Sequence, residues 1–217
     1  MVHFRASGFG IFRASGIAEL HPDAGADMRF SPDTPIKMED PPAKPAMIPQ
    51  HYPIEPGILL AGEYPGDLHP ATAVARIRLL VAAGVRTFID LTRPEDGLTP
   101  YAGMLDNISA ETGHSLRHLP FPIPDMGIPT PETARAAITA IRESIESAPA
   151  VYLHCWGGIG RTGTIAGCWL RESGLGPDEA LRRVQHLYAH HMHKVWKHPQ
   201  SPQTAEQRRF VSTWSPG

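Results

Sequence analysis

Five residues separate Cys155 from Arg161 in the stretch HCWGGIGRTG (154–163), with His154 and Thr162 just outside that pair. A thiol is a nucleophile as its thiolate, a form that helix N-termini and guanidinium groups favour. Arg161 offers a planar fork able to grip two oxygens of one phosphoryl group, which a lysine cannot do. The glycines at 157, 158 and 160 let the chain fold back and aim several N–H groups at one point. The run Trp156, Gly157, Gly158, Ile159, Gly160, Arg161 is therefore a candidate cradle for a tetrahedral dianion. A buried cysteine next to a glycine turn is also an ordinary packing arrangement. Here His154, Gly158, Arg161 and Thr162 all accompany it, and the Thr162 hydroxyl is placed to hydrogen-bond the sulfur as a leaving group.

A second carboxyl-bearing loop stands upstream. Phosphate-ester cleavage at neutral pH needs a proton for the leaving oxygen. Asp125, thirty positions before Cys155 in FPIPDMGIP, can give it from a Pro- and Gly-bounded loop able to close over the site. Pro-Asp-x-Gly is equally good turn chemistry. The loop TRPEDG after Leu91 offers Arg93 as a candidate for substrate contact, whereas Glu95 and Asp96 read as a solvated turn. Near the C-terminus, Thr204-x-x-Gln207 in SPQTAEQRRF fits a helix capping box.

The elements that must hold these loops follow from periodicity. AVYL (150–153) is a short apolar, β-branched strand running into Cys155, and RTGTIAGCWLRESG continues as a helix that Gly174 stops. Before it, GILLA (57–61), VRTFIDL (85–91) and Ser115–Phe121 read as strands. The stretches 69–83, 101–112 and 131–147 read as helices, Thr130 capping the last; Pro177–His190 adds another after the active loop. Strands alternating with helices predict an α/β fold, a central mainly parallel sheet flanked by helices. In such sheets ligands lie beyond the carboxyl ends of the strands, which would bring the loops after Leu91 and Phe121 beside Cys155.

With these three motifs assembled, the sequence resembles the cysteine-dependent protein tyrosine phosphatases, as a dual-specificity-like member. The resemblance runs from about Gly57 to Trp214, carried by three short motifs. It implies a phosphatase-like fold, a cysteinyl-phosphate intermediate on Cys155, and Asp125 as general acid in the counterpart of the Trp-Pro-Asp loop, with Ile123 where that tryptophan would stand. It also makes the Gln203 region a glutamine loop, in which Gln203 holds the hydrolytic water and Gln207 supports it. His154 is expected to fix the base of the loop. The family needs no metal and no cofactor.

Substrate class is less explicit. Between Cys155 and Arg161 the loop has no Lys, Arg or His, which favours phosphoproteins over highly charged phosphoinositides. No tyrosine-bearing recognition loop is evident, so a shallow site is expected, acting on phosphotyrosine and also on phosphoserine or phosphothreonine. Trp156 can stack on an aromatic leaving group or pack under the loop. Two alternatives stay open: a catalytically silent phosphoprotein-binding module, and a rhodanese-like sulfurtransferase.

Composition supports a cytoplasmic, reducing setting, because two cysteines cannot form a disulfide framework in 217 residues. Cys168, seven residues beyond Arg161, is about 10 Å from the loop at helical rise and reads as core. A net charge of −2, from 20 basic and 22 acidic residues, gives no case for nucleic acid or an anionic membrane as partner. The histidines at 186, 190, 191, 193 and 198 read as a solvated cluster rather than a metal site. Residues 1–53, with FRASG at Phe4–Gly8 and Phe12–Gly16 and many prolines, are expected as a flexible Pro-rich extension, and 54–217 as the catalytic domain.

Overall fold

The run AVYLH becomes β5 (Ala150–His154), every residue of it buried, in a computed structural model that describes residues 47–147 and 150–217. Residues 1–46, which hold most of the expected extension, lie outside the described part. A strand buried on both faces needs apolar side chains at every position, and this one has them until His154. It sits at the middle of a five-stranded sheet of order β1-β2-β5-β3-β4. The neighbours are β1 (His51–Glu55), β2 (Leu59–Gly62), β3 (Val85–Asp90) and β4 (Arg117–Pro120). All pairings are parallel except β1 with β2, so the sheet is mixed and mostly parallel.

The first strand starts at His51, three residues ahead of the expected start at Ile54. It carries Pro53, which has no N–H for a ladder, and an edge position accommodates that loss.

Six helices among the described residues cover the sheet: α1 (Pro70–Ala82), α2 (Ala102–Thr112), α3 (Pro131–Ser147), α4 (Gly160–Glu172), α5 (Pro177–His191) and α6 (Ala205–Thr213). Thr130 caps α3 by accepting from the Thr133 N–H at 3.1 Å, as its position before Pro131 predicts. The period of two along β5 divides the core. Val151 and Leu153 pack on the side of α3, α4, α5 and α6, while Ala150 and Tyr152 pack on the side of α1 and α2. The alternation continues past the strand, with Cys155 in the first cluster and the His154 ring against Tyr101 and Tyr64 on the other side. Helix α4 is buried from Gly160 to Leu170, which explains its small residues: Val211 of α6 would lie 2.8 Å from a Cβ at Gly167. No helix among the described residues is long and apolar enough to cross a membrane.

Candidate active site

The strand-to-helix turn after β5 wraps Cys155 into the floor of a cavity of about 500 Å³. The carbonyls of that turn are tied outward. The Trp156 oxygen accepts from the Tyr64 N–H (3.0 Å), Gly158 from the Tyr52 hydroxyl (3.4 Å) and Ile159 from the Ser201 hydroxyl (2.8 Å). The N–H groups of Trp156 to Arg161 take no part in the backbone hydrogen bonds of the described residues. Carbonyls outward and N–H groups unpaired is the arrangement an anion cradle requires. Gly158 has φ 72°, and a Cβ there would stand 2.5 Å from the Gly62 backbone, so the turn needs a glycine at that point.

Arg161 is 1% exposed and its guanidinium is fully engaged on one edge. Its Nη1 donates to Asp96 Oδ2 at 2.5 Å and to the Ile123 carbonyl at 3.1 Å. Its Nη2 lies 3.0 Å from Asp125 Oδ1, yet the group finds no aligned hydrogen bond, so this contact is Coulombic and its N–H vectors are free. Burial opposes the charge, but Cys155, Asp96 and Asp125 together outweigh it and raise the Arg161 pKa. Asp96 thus corrects the expectation of a solvated turn. Its side chain is buried and holds the arginine, and the 3-10 turn Pro94–Asp96 exists to place it. Arg93 goes elsewhere: it pairs with Glu95 at 3.1 Å and does not line the cavity.

Asp125 sits at the cavity mouth, on a turn closed by the Gly127 N–H to the Pro124 carbonyl at 3.0 Å. Met126, next to it, has φ 57°, an uncommon left-handed conformation for a side chain of that size. The loop is docked from three sides. Ile123 is buried and its N–H donates to the Leu91 carbonyl (3.1 Å), its carbonyl takes Arg161, and the Gln207 amide donates to the Gly127 carbonyl at 2.8 Å. The loops after Leu91 and Phe121 therefore meet Cys155 at the sheet edge, as the parallel strands predict.

Gln207 is fully buried and forms the capping box with Thr204 that the spacing predicts. Its amide is also pressed against the cysteine loop, since a Cβ on Gly160 would lie 2.9 Å from it. Gln203 lines the cavity, with its Nε2 at 3.5 Å from His198 Nδ1. Thr162 departs from expectation: its hydroxyl is buried without a partner and makes no hydrogen bond to the sulfur.

Below the loop, His154 accepts from the Tyr101 hydroxyl at Nε2 (2.7 Å) and faces the Cys155 carbonyl with Nδ1 (3.3 Å). A carbonyl only accepts, so a proton sits on Nδ1, and in the neutral ring Nε2 is then the acceptor for the Tyr101 hydroxyl. Burial depresses the His154 pKa and thereby favours that state, partly countered by Asp90. Asp90 itself is held well below the usual carboxylate range: burial pushes it up, and His154, His118 and Thr92 more than reverse this.

The other expectations sort as follows. Trp156 is 55% exposed on the cavity rim, not packed beneath the loop. Cys168 is a buried core thiol whose pKa burial pushes up. The histidine cluster is only partly a surface feature. The His186 and His190 rings lie 4.0 Å apart, tilted by 40°, but His198 lines the cavity together with Lys194, Trp196 and Lys197. The described residues hold no group of three or more His, Cys, Asp or Glu placed to bind a metal ion.

The chain is similar to known phosphatases in family and fold. Residues 65–174 match the family model Tc-R-P, described as "Polymorphic toxin system, DSP-PTPase phosphatase". Among solved structures, Tk-PTP in its active form is similar at 26% identity and a TM-score of 0.55, over 76% of this chain and 95% of that one. PTPMT1 in complex with PI(5)P shares the fold at 16% identity and a TM-score of 0.55, over 75% of this chain and 92% of that one. Kinase associated phosphatase, with its catalytic cysteine replaced by serine, does so at 15% identity and 0.55, over 78% and 93%.

Proposed function

We propose a function from one premise: the chain belongs to the Tc-R-P family of DSP-PTPase phosphatases, and is a dual-specificity-like member of the cysteine-dependent phosphatase superfamily. The proposed reaction is hydrolysis of phosphotyrosine, and of phosphoserine or phosphothreonine, in proteins, through a cysteinyl-phosphate intermediate. The observation that carries it is the buried Nη2 group of Arg161, charged and unaligned with any partner, on a residue that lines one cavity together with Cys155 and Asp125.

In the first step the Cys155 sulfur attacks phosphorus in line and a P–S bond forms. The ester P–O bond breaks, and Asp125 passes its proton to the leaving oxygen. Arg161 and the N–H groups of residues 156–161 hold the three equatorial oxygens as charge builds on them. In the second step a water beside Gln203 gives a proton back to Asp125 and attacks phosphorus, releasing phosphate and the thiolate. His154 keeps the loop in register through the Cys155 carbonyl, and Gln207 keeps the acid loop over it. Thr162 supports the loop as part of the first turn of α4. A sulfurtransferase would have no use for a carboxylate facing Arg161.

The test is phosphate release from phosphotyrosine, phosphoserine and phosphothreonine peptides and a phosphoinositide, with Cys155→Ser alongside. Turnover of phosphotyrosine peptides that vanishes in Cys155→Ser, with phosphate affinity retained, supports the reading. Binding of phosphopeptides without turnover by the native chain replaces it with a silent binding module.

A further inference from the structure

The cavity is far larger than one phosphoryl group needs; its volume is that of a pocket for a small organic ligand. Its outer wall is the connector between α5 and α6, and four hydrogen bonds hold that connector in place. Tyr188 donates to the His198 carbonyl (2.6 Å) and Gln185 Nε2 to the Pro199 carbonyl (2.9 Å). The His193 N–H donates to Gln50 Oε1 (2.7 Å), and the Ser201 N–H to Gln185 Oε1 (2.8 Å). The backbone is thus fixed while the side chains of Trp196 and Lys197 stand out from it, with Trp196 82% exposed.

The charges on this wall are not equivalent. Arg161 is countered by Asp96 and Asp125, and Lys194 is tied to Glu63 at 2.8 Å. Lys197 has no acidic partner among the described residues. His198 uses Nδ1 toward the Gln203 amide, which leaves the Nε2 side of a neutral ring as a donor. Trp156 and Trp196 line the same cavity as Cys155 and both are exposed, so two indoles border the space in front of the cysteine. Apolar faces left open beside a pocket mark where a ligand lies, and indoles suit flat rings.

We propose that Lys197 and His198 form a second anion subsite, so that the preferred substrate carries a further negative group beside the scissile phosphate, with a ring between Trp156 and Trp196. The inference rests on the phosphomonoesterase reading and extends it to substrate choice. Two sources share this chemistry: an acidic side chain next to a phosphotyrosine, and a second phosphate on a small ring.

The experiment compares kcat/KM on paired substrates: an Asp-flanked phosphotyrosine peptide against its Ala-flanked twin, and a ring bisphosphate against the monophosphate. The ratio within each pair is read for the native chain, Lys197→Glu and Lys197→Arg. At low salt at least one pair favours the two-anion member by about 3- to 10-fold, the effect expected of a partly exposed charge pair. That ratio collapses to one or below in Lys197→Glu, returns in Lys197→Arg, and shrinks at ~1 M salt. Which pair responds identifies the source. A ratio near one in the native chain, or a ratio that Lys197→Glu leaves intact, overturns the subsite. If p-nitrophenyl phosphate is not hydrolysed at all, the phosphatase reading is what fails. The same pairs are then read as binding ratios on Cys155→Ser and on Cys155→Ser with Lys197→Glu, which still decides the subsite.

Discussion

The Oδ1 atom of Asp125 stands 3.0 Å from Nη2 of Arg161, so the proposed proton donor rests against the group proposed to hold the phosphate. An arriving dianion must share that guanidinium with a carboxylate or displace it. Asp125→Asn is therefore expected to lower kcat on esters with poor leaving groups by about 10²- to 10³-fold. It is also expected to tighten inhibition by inorganic phosphate, because a like charge is gone. Steady-state kinetics with phosphate as competitor checks both. An unchanged rate on an alkyl ester would end the acid role.

Asp96 and Arg161 form a buried pair at 2.5 Å, and a buried charge that loses its partner is costly. Asp96→Ala is expected to destabilise the fold by about 3 kcal/mol. With the arginine free to drift, kcat/KM is expected to fall by about 10²-fold. Urea unfolding and kinetics on one preparation test the two together. A normal rate with lost stability would show that the pair serves the fold alone.

Gln207 touches three parts of the site: the Thr204 N–H, the Gly127 carbonyl and the space beside Gly160. Gln207→Ala is expected to cost about 1–2 kcal/mol through the lost cap and hydrogen bond. It is also expected to reduce kcat with little change in KM, since the acid loop is loosened rather than the phosphate cradle. Gly160→Ala pushes a methyl against the same amide. The double variant is then expected to lose less than the sum of the single losses, as contacting residues do. Additive losses would separate the cap from the loop.

Depression of the His154 pKa has a definite sign in stability. The unfolded chain takes up a proton near pH ~6.5 and the folded chain only at lower pH, so stability is full above that value and falls as pH drops through the gap. Asp90, held below the ordinary range near ~4, adds a second loss at still lower pH. Thermal melts from pH 7 to pH 5 are expected to decline more steeply in the native chain than in His154→Asn, which lacks the titration. Parallel declines would assign the acid sensitivity to other groups.

Much of the site is written in local spacing. The distance from Cys155 to Arg161, the glycines between them and the apolar strand before them suffice to read an anion loop. Asp125 is readable because a parallel sheet sends its loop to the same edge. The parts that escape are those decided by tertiary packing. Asp96 looks like one acid in a charged turn, and only the position of Arg161 makes it a buried counter-ion. Lys197 and His198 lie some forty residues beyond the cysteine, in a connector with no periodic pattern, and the bonds from Tyr188 and Gln185 swing it into the cavity wall. The strand at His51–Glu55 is masked in sequence by its own proline, harmless only because that strand is an edge.

Cys168 is sealed in the middle of α4, while Cys155, the other thiol in the chain, opens on the cavity. An alkylating reagent applied to the native protein should therefore add the mass of a single label. The second label registers only when the core opens, and its appearance times that opening directly. One mass spectrum read over hours then gives active-site occupancy from the first label and the lifetime of the fold from the second.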